Sequence, residues 1–280
     1  MTLPAASVTV ATVHPVPESS ETFYLWEQGN VPATTTYTEN AAGYADGPGF
    51  RPMVTTVPVA QGVPVRGAVI LASGGAFQFR GNDHEGYPVA LELAHRGYQS
   101  FVLDYRLRPY TQEEGALDMA RAVRFVRRHA DAYGIDPEDI AVMGFSAGGI
   151  LAGEMLLHYA GDTLPTVLDP EYVPDALDRV SADASAAAMV YSFYGQLSVA
   201  STDVEEFASA GLPPTYFSYG TEDPFFGEFE DCVAALREAG GSVEAAPMDG
   251  MPHGYGPGGG WIPAFDEWLT AVFEVDGAAG

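Results

Sequence analysis

Ser146 stands in the middle of Gly144-Phe145-Ser146-Ala147-Gly148, with Gly149 next. The pentapeptide fits G-x-S-x-G, a pattern that thrusts a serine out of a sharp turn between a strand and a helix. Its flanks agree. Residues 140–145 (IAVMGF) form a short apolar run suited to a buried strand, and residues 147–159 suit a helix. Glycine at the outer positions removes side chains that would strike the neighbouring strand and helix. The first amides of the helix offer free N–H groups and a positive dipole end to a developing anion. The plain alternative, a glycine-rich turn with an incidental serine, loses ground once partners are found downstream.

A serine hydroxyl attacks poorly unless a base takes its proton. Histidines stand at positions 14, 84, 95, 129, 158 and 253. His253 lies in Met251-Pro252-His253-Gly254-Tyr255, just after a β-prone run at 243–247. Ligands of open α/β sheets bind at the carboxyl ends of strands, so His253 is the candidate base. His129 and His158 read as surface or packing residues, and His95 as a helix-end residue before Gly97. The imidazole needs a carboxylate to hold its tautomer and stabilise the imidazolium. Asp223, in Gly220-Thr221-Glu222-Asp223-Pro224, is preferred, with Glu222 and Asp249 left open. The order Ser, Asp, His is that of α/β-hydrolases. Attack on a carbonyl also makes an oxyanion that needs donors. Ser73-Gly74-Gly75-Ala76-Phe77 follows an apolar run at 65–72, and its small residues let amides approach. The amides of Gly75, Ala76 and Ala147 are the candidate oxyanion hole.

Such groups need a rigid frame. Apolar runs at 65–72, 99–104, 140–145, 186–192, 214–219 and 243–247 alternate with helical patterns at 87–96, 113–133, 147–159, 228–239 and 263–273. Over 113–133, Ala116, Met119, Ala120, Val123, Val126 and Ala130 recur at helical spacing, and Gly134 ends the run. This alternation predicts an α/β fold with a mostly parallel central sheet and helices on both faces. Residues 1–64 are rich in Pro, Thr and Ala, with β-prone pieces at 23–26 and 54–59. They are expected to be a β-rich extension of a single domain spanning 1–280. Residues 161–184 are the longest later insertion, enough for a small lid.

Composition excludes several classes. Twelve basic residues, all arginine, face 38 acidic ones, for a net charge of −26. Without lysine there is no Schiff-base chemistry and no Walker-type phosphate lysine. This charge repels phosphate backbones and anionic lipids, so no nucleic-acid or membrane partner is expected. Cys232 stands alone, which removes an internal disulfide and a cysteine zinc cluster. No run approaches the roughly 18 apolar residues of a membrane span. The N-terminal stretch lacks a basic region ahead of an apolar one, so a cytoplasmic protein is expected. Asn82, Asp83, His84 and Glu85 are sequence neighbours whose side chains diverge, which favours loop packing over a metal site. No metal or cofactor is expected.

The residues Gly74-Gly75-Ala76-Phe77, Asp104-Tyr105-Arg106-Leu107, Gly134-Ile135-Asp136-Pro137, GFSAGG at 144–149 and the late Asp and His have a familiar look. The chain resembles α/β-hydrolases of the hormone-sensitive-lipase and feruloyl/acetylxylan esterase kind. Leu25-Trp26 and Glu85-Gly86-Tyr87-Pro88-Val89-Ala90 are similar to segments of the carbohydrate-esterase branch. The resemblance spans about residues 22–275. It implies an α/β-hydrolase fold with a small lid or none, and a serine esterase that works through an acyl-enzyme without a cofactor. Ser146 would be its nucleophile, Asp223 its orienting acid and His253 its base. Two departures stand out: Ser73 replaces the loop's histidine and Ala76 its third glycine. The added methyl narrows the acyl site and favours small acyl groups. The implied partner is a small-molecule ester, most simply an acetylated sugar or xylo-oligosaccharide. A homo-oligomer is left open. The rivals are a peptidase, arylformamidase or lipase on the same fold, an acyltransferase, and a catalytically silent binding protein.

Other residues carry weaker expectations. Arg121, Arg124 and Arg128 share a helical face expected to be solvated. Tyr191, Phe193 and Tyr194 either line the substrate pocket or pack the core. Trp261 is either a platform for a sugar ring or the anchor of the last helix.

Overall fold

The apolar runs become the strands of one eight-stranded sheet. The computed structural model describes residue 17 and residues 19–277. His14 and most of the N-terminal stretch considered above lie outside the described residues. The strands are β1 (Thr22–Tyr24), β2 (Met53–Val57), β3 (Gly67–Ala72), β4 (Tyr98–Asp104), β5 (Ile140–Phe145), β6 (Ala186–Val190), β7 (Gly195–Gln196), β8 (Val199–Ala200), β9 (Thr215–Gly220) and β10 (Val243–Met248). Their order in the main sheet is β1-β2-β4-β3-β5-β6-β9-β10, while β7 and β8 pair separately. β2 runs antiparallel to β1 and β4, and every other pairing in the main sheet is parallel. All residues of β3, β5 and β6 are buried, as strands covered on both faces must be.

The helices are α1 (Tyr87–Ala94), α2 (Gln112–Arg128), α3 (Ala130–Tyr133), α4 (Ala147–His158), α5 (Val204–Ala210), α6 (Phe226–Glu238) and α7 (Ile262–Gly277). The single helix expected over 113–133 is two. The chain leaves helical geometry at His129, and Gly134 ends α3 in the left-handed region. Thr111 starts α2 with a capping box, its side chain accepting from the Glu114 amide while Glu114 accepts from the Thr111 amide. α5 and the β7–β8 hairpin escaped the sequence reading because seven and two residues are too short to show a period.

The strand order locates the site. From β3 the chain steps through α1 to β4 on one side, then crosses through α2 to β5 on the other. The two connections leave in opposite directions, so a crevice opens between the carboxyl ends of β3 and β5. Residues 73–77 and Ser146 are the first residues past those two ends.

Between β1 and β2 the N-terminal segment is held by charge. Arg106 and Asp118 form a fully buried pair, with Nε to Oδ2 at 2.9 Å. The Asp118 carboxylate also accepts from the Trp26 indole at 2.8 Å and the Arg106 amide at 2.9 Å. Arg106 continues to the Pro32 carbonyl at 2.6 Å.

The same helix corrects an expectation. Arg121 and Arg124 are buried, and only Arg128 of that trio is exposed. Arg121 binds Asp175, Asp178 and the Leu25 carbonyl. Arg124 donates to the carbonyls of Val180, Gly161 and Thr163. Residues 161–184 thus lie on α2 and cover these arginines, and none of them is among the residues that line the pocket holding Ser146.

Candidate active site

Five strand ends supply the site. Ser146 follows β5 directly, at φ +48° and ψ −122°. A non-glycine residue rarely takes a positive φ, and such strain persists only where the surroundings enforce it. They do so here by close approach. A Cβ on Gly148 would collide with the Ala72 carbonyl, and one on Gly144 with the backbone of Gly149. The Ser146 amide donates to the Val190 carbonyl at 3.1 Å, and its own carbonyl accepts from the Ser192 hydroxyl at 2.7 Å.

The structure brings Ser146, His253 and Asp223 together. His253 Nε2 lies 2.9 Å from Ser146 Oγ, and His253 Nδ1 lies 2.7 Å from Asp223 Oδ2. The Asp223 side chain is fully buried while that of His253 is 31% exposed, so the imidazole can meet both a fixed acid and a ligand. The loops carrying them are tied to each other, since Thr221 and Glu222 amides donate to the carbonyls of Met248 and Met251. Glu222 and Asp249 are exposed and neither pairs with the imidazole.

The loop after β3 faces the serine. Among the described residues, the amides of Gly75, Ala76 and Ala147 have no hydrogen-bond partner, whereas that of Gly74 donates to Glu85. Ala76 and Phe77 both hold positive φ, 52° and 58°. Nothing in their residue types announced this strain. The loop is pinned from outside by Arg80, which bonds Asp46, Asp104 and the Tyr105 carbonyl. Asn82 donates to Asp104 at 2.8 Å, and His84 Nε2 lies 2.9 Å from the Gly254 carbonyl. The side chains of Asn82, His84 and Glu85 therefore go to three different partners and do not converge.

A pocket of about 20 Å³ opens at Ser146, between Ile150, Tyr191, Phe193, Leu197, Phe225 and His253. Leu197 also borders a groove of about 480 Å³, whose walls include Tyr44, Phe77, Arg108, Tyr110 and Gln196. Tyr191 and Phe193 thus face the pocket, while Tyr194 is buried with its hydroxyl on Thr215. Trp261 is 1% exposed, donates to the Gly256 carbonyl and packs on Phe145 and Phe265. It anchors α7 and is no platform for a sugar. Among the described residues, no helix is long and apolar enough to cross a membrane.

The BD-FAE family model matches residues 57–224, more than half of the chain and the whole stretch from β2 to the acid after β9. The chain belongs to the BD-FAE family. Curated relatives of this BD-FAE protein include an endo-1,4-beta-xylanase B of Butyrivibrio fibrisolvens, 35% identical over 34% of the chain. Another is an acetylxylan esterase of Xylanibacter ruminicola, 36% identical over 30% of the chain. The matches span only 16% and 18% of those two proteins. A carboxylesterase NlhH of Mycobacterium tuberculosis is 32% identical over 67% of the chain and 66% of its own length. Among solved structures, an acetyl ester-xyloside bifunctional hydrolase from Caldicellulosiruptor lactoaceticus superposes with a TM-score of 0.67, at 22% identity, over 92% of this chain and 96% of that one. At this identity it attests the fold, that of an α/β-hydrolase.

Proposed function

We propose that this chain is a serine carboxylesterase that removes short acyl groups, acetyl above all, from a sugar or xylo-oligosaccharide. The carrying observation is the run of contacts from Ser146 Oγ through His253 to Asp223, at 2.9 and 2.7 Å, beside three unpaired amides. His253 takes the serine proton as Oγ attacks the ester carbonyl. Asp223 holds the Nδ1–H tautomer and stabilises the imidazolium. The amides of Gly75, Ala76 and Ala147 receive the oxyanion. His253 returns the proton to the departing alkoxide, which leaves an acyl-enzyme on Ser146. Water, activated by the same imidazole, then releases the acid.

Pocket sizes support the choice of substrate. The pocket at Ser146 is small, about 20 Å³, and its walls of Ile150, Tyr191, Phe193 and Phe225 suit a short acyl group. The adjoining groove, about 480 Å³, presents aromatic faces and polar groups, which suits the apolar face and hydroxyl rim of a sugar. The names of the xylan-active and acetyl-ester-active relatives lean the same way.

Hydrolysis of p-nitrophenyl esters from acetate to laurate, alongside acetylated xylo-oligosaccharides, tests the reading. Turnover should peak at acetate, and a maximum at long chains would reject the short-acyl assignment. Ser146→Ala should lower kcat by about three or more orders of magnitude with the fold intact. A variant retaining half the parent rate would remove Ser146 from the reaction.

A further inference from the structure

Glu85 is a buried acid that the relay leaves idle. The residue is 7% exposed. Its Oε2 accepts from the Gly74 amide at 2.5 Å and its Oε1 from the Tyr191 hydroxyl at 2.8 Å. The Tyr191 oxygen accepts in turn from the Gly256 amide at 3.2 Å. The Tyr191 ring meets the His253 ring at 5.0 Å between centroids and an angle of 64°. One carboxylate therefore joins three loops: that of Gly75 and Ala76 after β3, that after β6, and that of His253 after β10.

This arrangement exceeds what packing requires. Burial pushes the Glu85 carboxyl above the ordinary glutamate value, and its bonds to Gly74 and Tyr191 only partly offset that. Its two hydrogen-bond partners are an amide and a phenol, not a cation. An ionised carboxylate accepts at both oxygens, so it satisfies both donors at once; a glutamine presents one acceptor and one donor end. The join also lies close to the reaction. A Cβ on Gly74 would come 2.8 Å from Ser146 Cβ, so the Gly74 backbone abuts the serine. Gly74 precedes one proposed oxyanion donor directly, and Tyr191 touches the proposed base. Catalytic groups must be held to within about 0.5 Å of productive geometry.

We infer that Glu85, acting through Tyr191, is a positioning residue that sets the oxyanion loop and the histidine loop together against Ser146. The inference rests on the esterase reading, and the experiment separates the two. Parent, Glu85→Gln, Tyr191→Phe and the double variant are assayed on p-nitrophenyl acetate. Rates are normalised to sites titrated with an organophosphonate, so that misfolded protein does not count. Glu85→Gln should lower kcat per titrated site by about 10- to 100-fold while KM stays within about twofold, since misplacement of the reacting groups by about 1 Å costs about that factor. Tyr191→Phe should lose about 5- to 10-fold, and the double variant should be no slower than the slower single variant, because both break one unit.

If Glu85→Gln does not fold, Tyr191→Phe decides alone, as it removes only a hydroxyl. Unchanged kcat per site in the folded single variants, or a rise in KM alone, overturns the positioning role even if thermal stability falls. A parent without Ser146-dependent turnover or a titratable site overturns the esterase reading, and this inference with it.

Discussion

The rim around Ser146 and the outer side of α2 solve opposite problems with opposite materials. The rim is made of small residues and bare backbone. Gly144 and Gly148 let the serine turn press against neighbouring main chain, and Ser146, Ala76 and Phe77 are held at positive φ. Its buried acids meet no arginine: Asp223 bonds an imidazole, and Glu85 an amide and a phenol. The side of α2 is made of long cations on carboxylates and carbonyls. Arg106 holds Asp118, Arg121 holds Asp175 and Asp178, and Arg124 gathers three carbonyls of residues 161–184. There, irregular chain without a sheet of its own has its polar groups satisfied by guanidiniums. At the rim, the amides of Gly75, Ala76 and Ala147 stay unpaired among the described residues and the turns stay strained. The contrast teaches how two surfaces of one domain are built: guanidiniums on carboxylates and carbonyls bind one side, while unpaired backbone amides gather on the other.

That division can be broken deliberately. The largest effect is expected at the rim. Asp223→Asn keeps the shape but misdirects the imidazole tautomer, so kcat should fall by about four orders of magnitude with the unfolding midpoint little changed. Steady-state rates beside a urea titration check both halves. An equal loss of stability would place Asp223 among the structural acids instead.

Asp118→Ala is the counterpart on α2. It strands a buried guanidinium and an indole N–H, and should cost about 3 to 5 kcal/mol of stability. The kcat per titrated site should stay within about twofold, because Asp118 touches nothing in the pocket. A large loss of kcat in the folded fraction would show that the two regions are coupled.

The smallest effect concerns pH. Glu85 has its folded-state pKa raised by burial, so folding favours its protonated form. The stability this brings is fully present below the ordinary glutamate pKa of about 4.3 and is lost as pH rises through the folded value. Glu85→Gln lacks that titration. The stability of the parent relative to the variant should therefore be greater in acid than at neutral pH, as read from urea midpoints at several pH values. A difference that grows towards neutral pH would mean that the charged form is the one folding prefers.

Much of this architecture could be read from residue types. The alternation of apolar runs and helical spacing marked the main-sheet strands after residue 65 and most of the helices, because buried parallel strands have no polar face to blur the run. Ser146 was visible because its turn needs glycines on both sides, and His253 because it follows the last strand. Asp223 was harder, one acid among many, chosen by its place after β9. Glu85 reads from its neighbours as loop packing: in a chain with 38 acidic residues nothing in the letter E reports burial. Arg121 and Arg124 misled for the same reason. Arginine on a helix face usually means solvent, and here the paths of residues 161–184 and, for Arg121, of Leu25 and Trp26 bury it.

Local chemistry written in the residues thus determined which groups can react and which segments are strand or helix, since hydrophobic period and backbone sterics act over a few residues. The tertiary fold decided how far apart those groups stand, which carboxylates lose water and which amides stay unpaired. Distance and dielectric are set by chain returning from far along the sequence. The 107 positions that separate Ser146 from His253 along the chain become 2.9 Å only when β5 and β10 share one sheet.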